Sequence, residues 1–566
     1  MAAIRFRRAE AAALCALAGV ALAAGEPPLR DAPVVWHEND RQDIPAPRPR
    51  DPNKVRSSVE ATLFRPLGRI FHPGRIVRGF GSIFGGDHVP PAANINALDE
   101  TPNSSWFTNR IGLFPLRPEQ AARGPLTGPG PDTSGTWTVV DAKTEGVTPG
   151  FTVEDARGDR YLIKFDPPGY LGMTVAAGVI SGRLFHAAGY NVPEDVAVTF
   201  RRDRVRVGDG VVFTTREGDE RSLTTGDLDS ILGSVERLAD GRWLALASKF
   251  LGGEWMGPFD WQGRRKDDLN DRIDHQNRRE IRGLRIFSAW LCHMDTKQGN
   301  TLDMYVEEDG RRFVRHYLID FASTLGVGAL GPFPMGCFEY SFDVAANLGR
   351  AITLGAREDN WRKLERPEGL DEIGYFESEY FNPKAFKPLE PNSAFANLTD
   401  RDGYWAAKII SAFSDAHLDA VVAEGRYRHP EAARYVRRML SERRDVIARF
   451  FFDRVPPLDF FAYDRGVLHF HDLGVERGVY RADSTRYRVR AAAVTATRTR
   501  AARSPWIALE ETRLDVTTAG DAVTSVPWES HPFWAFELQV HRGEAWSPSV
   551  TAYVARVSGR VVALDR

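Results

Sequence analysis

Cysteine is scarce, with three residues in 566, so no framework of disulfides can hold this chain together and apolar burial must build its cores. Cys15 lies in an apolar N-terminal stretch, which leaves Cys292 and Cys337 for at most one internal bridge. An excess of one charge is also missing. Lys plus Arg (74) nearly cancels Asp plus Glu (76), for a net charge of -2, so no whole-chain field draws polyanions and nucleic acid is not an expected partner. Past the N-terminal stretch no apolar run reaches the roughly 18 residues that a membrane-spanning helix needs, and the mature chain is expected to cross no bilayer. Three signatures are absent as well. Without G-x-S-x-G, H-E-x-x-H or C-x-x-C, readings as a serine hydrolase, a zincin or a thiol redox protein lack their first residue.

What is present begins with a leader. Arg5, Arg7 and Arg8 precede an apolar run over 11–24 that offers Ala21 and Ala23 to a signal peptidase. About 14 residues at 1.5 Å rise cover about 21 Å, short of the roughly 30 Å of a bilayer core. A cleaved signal peptide over 1–24, with export to the periplasm or the extracellular space, is therefore expected rather than an anchor. Cys15 does not suit a lipoprotein, because bulky Leu14 stands where that peptidase needs a small residue. A hydrophobic fraction of 43% is ordinary for globular chains, and 566 residues exceed one core, so about three to four units of roughly 100–200 residues are expected.

Residues 25–135 carry many Pro, Gly and Asp with little periodicity and read as a loop-rich extension. Within it the aromatic turn Asn103-Ser104-Ser105-Trp106-Phe107 is expected to pack on a larger body. From 136 to 253 strands prevail: a meander over 136–142, 151–155 and 160–165, a helix over 172–189 closed by Gly189, and a further pair at 195–200 and 203–214. Residues 254–455 read as helical, with apolar periodicity over 278–293, 404–423 and 431–452. After Pro456-Pro457 short apolar alternations return, and 458–566 reads as a β-sandwich-like domain. Arg278, Arg279, Arg282 and Arg285 are expected on the solvated face of their helix. His469 and His471 alternate on one strand without a third ligand and are expected at the surface.

One stretch stands apart: His293-Met294-Asp295-Thr296-Lys297-Gln298-Gly299-Asn300, followed by Leu318-Ile319-Asp320-Phe321-Ala322-Ser323. Phosphoryl transfer from ATP needs one carboxylate to orient a hydroxyl, and an amide oxygen plus a second carboxylate to hold Mg²⁺. Those groups occur in that order. Four residues separate Asp295 from Asn300, as in H-R-D-x-x-x-x-N, and Asp320 ends an apolar strand as the aspartate of D-F-G does. Upstream, Lys164 sits mid-strand in Tyr161-Leu162-Ile163-Lys164-Phe165, where a charge is costly unless it is paired or faces an anion. The turn over 143–150 carries Gly146 and Gly150, whose backbone N–H groups can approach phosphate.

The order of these motifs resembles the protein-kinase-like superfamily, including its phosphoinositide-kinase and secreted bacterial branches. The resemblance covers about 136–455. It implies an α+β fold with two kinase-like lobes, 136–253 and 254–455, here flanked by the N-terminal extension and the C-terminal β-sandwich-like domain. It implies Asp295 as the catalytic base, Lys297 as the lysine that contacts the transferred phosphate, His293 as the loop histidine, and Asn300 and Asp320 as metal ligands. Lys164, Gly146 and Gly150 are the implied nucleotide-binding residues. ATP with Mg²⁺, or Mn²⁺ in its place, is the implied cofactor, and an unidentified hydroxyl on a protein, lipid or sugar is the acceptor. Met294 replaces the family's arginine and Ala322 its glycine, as in atypical kinases. One departure concerns the helix after the lysine strand, where the family places a glutamate. Residues 173–188 hold neither Asp nor Glu, and Gly178 stands near the expected position. Glu145, Glu154 and Glu194 are the candidates to take that part. The alternative reading is an inactive, pseudokinase-like protein that binds a cell-envelope partner.

Overall fold

The computed structural model describes residues 27–50, 89–142, 150–214, 220–341, 343, 347, 350 and 359–566. The leader over 1–24, Glu145 and Gly146 lie outside them. The chain divides into two compact units, one comprising 35–457 with 472–483 and the other joining the residues up to 34 with 458–471 and 484–566.

The larger unit is built on a six-stranded sheet. β1 (Trp137–Ala142), β2 (Gly150–Glu154) and β3 (Arg160–Lys164) form the expected antiparallel meander. β4 (Asp195–Phe200), β5 (Val205–Val207) and β6 (Trp243–Lys249) complete the order β4-β6-β3-β2-β1-β5. Strand alternation sorts the two faces. Trp137, Val139, Phe151, Val153, Tyr161 and Ile163 enter one apolar cluster. On the opposite face Ala197, Leu244 and Leu246 pack against Val175 and Val179 of α1 (Met173–Ala188). The residue before α1, Gly172, has no side chain to cap it. Asp166, in the loop after β3, supplies the cap by accepting hydrogen bonds from the backbone N–H groups of Gly172, Thr174 and Val175 at 2.8, 2.7 and 3.1 Å. These are donors that a helix start leaves open, and a carboxylate there also meets the positive end of the helix dipole. Sheet and helix are thus fastened two residues beyond Lys164.

The helix that leads to the loop of Asp295 and Asn300 corrects one expectation. In α2 (Arg279–Leu291) and at its cap, Arg278, Arg279 and Arg282 are not solvated; they are 1%, 1% and 0% exposed. Arg278 pairs with Glu280 at 2.6 Å and with Glu38 at 2.9 Å, Arg279 with Asp99 at 2.7 Å and Asp402 at 3.1 Å, and Arg282 with Asp402 at 3.5 Å. Asn94 caps the helix, accepting the N–H of Arg279 at 2.8 Å. The half-buried Arg285 donates to the carbonyls of Phe395 and Lys384 at 3.1 and 2.8 Å. Three of the partners, Glu38, Asn94 and Asp99, come from the N-terminal extension. The aromatic turn in that extension packs as expected, with Trp106 stacked on His316 at 3.5 Å between ring centroids.

Three further helices belong to this unit: α3 (Asp400–Ile410), α4 (Asp415–Ala423) and α5 (Pro430–Phe452). The single helix expected over 404–423 is two, because Ser414 caps a new start by accepting the N–H of His417. Trp290 of α2 donates its indole N–H to the carbonyl of Leu440 in α5 at 2.9 Å.

In the smaller unit a six-stranded sheet centred on Arg486–Val494 and a three-stranded sheet of Leu458–Asp464, Val467–Asp472 and Arg513–Asp515 share one apolar cluster. Leu468, Phe470 and Leu514 meet Val489, Phe536 and Leu538 there. His469 and His471 are exposed, as expected. Among the described residues no helix is long and apolar enough to cross a membrane.

Removing one partner of a dry ion pair strands the other charge. Asp402→Ala is therefore expected to lower unfolding stability by about 3–5 kcal/mol in urea titration. A second expectation concerns acid. Burial, aided by the charges of Arg110 and Arg183, pushes the His186 imidazole of α1 from an ordinary value of 6.5 down to about 3. The folded state thus favours neutral His186. Its contribution is complete above pH 6.5 and is lost as pH falls toward 3. His186→Asn should flatten the loss of urea midpoint across that window.

Candidate active site

A tight hairpin brings two of the predicted residues together. β7 (Thr301–Glu308) and β8 (Arg311–Leu318) pair in register from Thr301 opposite Leu318 to Glu308 opposite Arg311. The turn Asp309-Gly310 has φ of 50° and 71°, the left-handed pair that a two-residue hairpin loop requires. Asn300 and Asp320 flank the open end of this hairpin, and the N–H of Ile319 donates to the carbonyl of Asn300 at 3.0 Å. The loop after β8 returns to α2: Leu325 donates to the carbonyl of Leu291 at 2.7 Å and Met294 to that of Ser323 at 3.3 Å.

α1 positions the same loop from its other side. Phe321 is fully buried and stacked on Phe185 at 5.0 Å. The hydroxyls of Ser181 and Thr324 are hydrogen-bonded at 2.7 Å, and Thr324 donates to the carbonyl of Ala177 at 3.2 Å. Two glycines of α1 lie beneath this loop. A Cβ on Gly178 would stand 3.8 Å from the Ala322 nitrogen, and one on Gly182 would stand 3.5 Å from the Phe321 ring. Because Asp166 also fastens α1 to β3, Lys164 and Asp320 are located by one helix. They meet: Lys164 Nζ lies 2.9 Å from Asp320 Oδ1, with side chains 17% and 40% exposed. Asp320 has φ of +62°, a left-handed conformation that a non-glycine residue adopts at some cost and that clusters at functional sites.

The other predicted residues fall as follows. Asp295 Oδ2 accepts from Lys297 Nζ at 2.9 Å. Burial alone would depress the lysine, but the Asp295 charge and hydrogen bond hold its pKa above the usual value. Asn300 is buried, and its Nδ2 donates to the Asp295 carbonyl at 2.8 Å, which leaves the amide oxygen for another partner. Gly150 opens β2 directly opposite Lys164. His293 lies beneath this surface, 4% exposed, its ring 5.9 Å from Phe185 and 5.8 Å from Phe321. Burial pushes its imidazole pKa down.

The two described candidates to stand in for the helix glutamate, Glu154 and Glu194, do not face Lys164. Glu154 is opposite Arg160, at the far end of the strand pair, Glu194 accepts from the N–H and hydroxyl of Thr127 at 3.2 and 2.8 Å, and Glu145 is outside the described residues. Lys164 acts instead on Asp320 and on Asp195, a 4% exposed carboxylate at the start of β4. Its only sequence signal is an acid opening an otherwise apolar strand.

Among the described residues no three His, Cys, Asp or Glu side chains gather as a metal site. The carboxylate of Asp320 and the amide oxygen of Asn300 are nevertheless hard oxygen donors of the kind Mg²⁺ takes. Two protein ligands suffice where phosphate oxygens complete the shell. The residues present therefore fit a metal that arrives with a phosphorylated ligand.

No protein-family model and no curated protein matches the chain. Solved structures do. The proinflammatory kinase CtkA of Helicobacter pylori aligns at 10% identity over 57% of this chain and 99% of its own, with a TM-score of 0.28. The Golgi casein kinase aligns at 8% over 57% and 75%, with a TM-score of 0.26. The hydra Fam20 structure with sugar aligns at 12% over 53% and 96%, with a TM-score of 0.20. The likeness is to atypical protein kinases. Scores this low carry no weight of their own, so the chemistry is read from the side chains of this chain.

One covalent link braces the loop after α2. Cys292, the residue before His293, is bonded to Cys337, with the Cα atoms 5.7 Å apart and a sequence separation of 45. Closing a loop of that length stabilises by about 4 kcal/mol on the chain-entropy account. The paired change Cys292→Ser with Cys337→Ser should lower stability by about 2–4 kcal/mol in urea. In the parent protein both thiols should resist alkylation until reduced, as read by mass spectrometry.

Proposed function

We propose that this protein is an exported, atypical kinase-like phosphotransferase that moves phosphate from Mg-ATP to a hydroxyl acceptor on a protein, lipid or sugar. The observation that carries the reading is the meeting of Lys164 and Asp320. These side chains come from a sheet strand and from the far end of a hairpin, and nothing in their local sequence requires them to touch. Asp295, Lys297 and Asn300 lie on the loop between α2 and that hairpin. The two-lobed kinase-like arrangement and a β-sandwich-like tail belong to the same reading. The leader over 1–24 supports export, and the Cys292–Cys337 bond accords with an oxidising compartment.

In this reading Lys164 would grip the donor phosphates, while Asn300 and Asp320 would hold Mg²⁺, which would neutralise charge on the phosphate oxygens. Asp295 accepts the proton of the acceptor hydroxyl as that oxygen bonds to the γ-phosphorus, and the bond from phosphorus to the bridging oxygen of ADP breaks. Lys297, held beside Asp295 with its charge secured, faces the negative charge of the transferred group.

Parent protein should show saturable thermal stabilisation by ATP with Mg²⁺. Asp320→Ala should lose the Mg²⁺-dependent part of that shift and reduce turnover by on the order of 10² or more, while the ligand-free melting temperature stays close to the parent's. Asp295→Asn should keep the thermal shift and lose turnover. Turnover retained by Asp320→Ala would overturn the assignment.

A further inference from the structure

Asp195 is a buried acid that the chemistry above does not use. It is 4% exposed, and its Oδ1 has no hydrogen-bond partner among the described residues. A carboxylate in that condition is expensive to keep. Burial pushes its pKa up to about 6, against the opposing effects of a hydrogen bond from Ser248 and the charge of Lys164. Asp320 repels it, and Arg183 attracts it less than Lys164 does.

Strand register explains why the lysine is its main counter-charge. Asp195 pairs with Ser248 and Ser248 with Leu162; one step along, Ala197 pairs with Leu246 and Leu246 with Lys164. Residues so matched, and those two apart on one strand, share a sheet face. Asp195 and Lys164 therefore both point to the α1 side, across β6 from one another. On that side α1 presents Val175 and Val179 to the sheet, and next to Asp195 it presents Gly182. A Cβ built on Gly182 would lie 3.8 Å from Asp195 Oδ2, so the carboxylate fills the space that a side chain rising from the helix would enter.

In the free protein Lys164 is engaged by Asp320. If Asp320 turns toward a metal-bound phosphate, the ammonium loses that partner in a largely buried place. We propose that Asp195 is the positioning residue for Lys164, a second carboxylate supplied by β4 in place of a helix acid, which holds the ammonium when Asp320 is engaged elsewhere. This rests on the phosphotransferase reading for its purpose, though the pairing itself does not require it. Gly182 and Asp195 are then complementary: the helix gives up a side chain where the strand provides the charge.

The test separates the two claims. Lys164 acylation by an amine-reactive ester, followed by peptide mass spectrometry, needs no nucleotide. In an Asp320→Ala background, adding Asp195→Asn should speed acylation of Lys164 on the order of tenfold, since an ion pair both charges and shields the amine. Equal rates would overturn the proposal. In the otherwise native protein, Asp195→Asn should weaken Mg-ADP binding about tenfold while leaving the ligand-free melting temperature equal or higher, because a neutral amide replaces a poorly compensated charge. A merely structural role would give the reverse, a lower melting temperature with unchanged affinity. The pair Asp195→Ala with Gly182→Glu, which returns a carboxylate from the helix, should recover most of the affinity; recovery by Asp195→Ala alone would count against it. Should acylation separate the variants while the parent ignores Mg-ADP, the pairing stands and the phosphotransferase reading falls.

Discussion

The carboxylate of Asp402 receives two guanidinium groups, those of Arg279 and Arg282, in a place without solvent access. Around it Asp99, Glu38 and Glu280 balance the remaining charge of the arginines at the head of α2. Taking ions out of water is costly, and such a cluster holds only when every member has its partners. The cluster therefore acts as a specification. It fixes α2 against the N-terminal extension on one side and against α3 on the other, and α2 ends at the loop that carries Asp295 and Asn300. An error in the extension would reach the site through this helix.

A second chain of contacts runs from the sheet. β3 carries Lys164, Asp166 fastens the next helix, and the glycine-bearing face of that helix receives the loop of Asp320 and Phe321. The lysine and the aspartate are thus set by the same body, and their separation is governed by close packing. Interiors at crystal-like density transmit small changes in volume. A methyl group added at Gly178 would press on Leu246, whose Cδ2 would lie 3.1 Å from it, and so would bear on both ends of the site.

The parts legible in the sequence were those whose information is local. The interval from Asp295 to Asn300, the strand before Asp320 and the lysine inside Tyr161–Phe165 are each contained in a few residues, and the meander of β1 to β3 is written in its alternation and turns. The buried arginines were not legible. Their periodicity is that of a surface stripe, and the acids that make burial tolerable lie at positions 38, 99 and 402. Asp195 escaped for the same reason, since the expected acid was sought on the helix and the actual one belongs to another strand. The break between α3 and α4 was written in Ser414, a capping residue inside an apolar rhythm that ran on past it.

The contact between Lys164 and Asp320 also governs what the site presents to solution. The cation that would greet an anion is already neutralised by a neighbour, so long-range attraction there is muted. A bare anion must open this latch unaided, whereas one escorted by a divalent ion offers each half of the latch a new companion at once. On the proposed reading such a site would discriminate by the pairing of charges rather than by their sum, and a lone sulfate or phosphate would find a door that two visitors must push together.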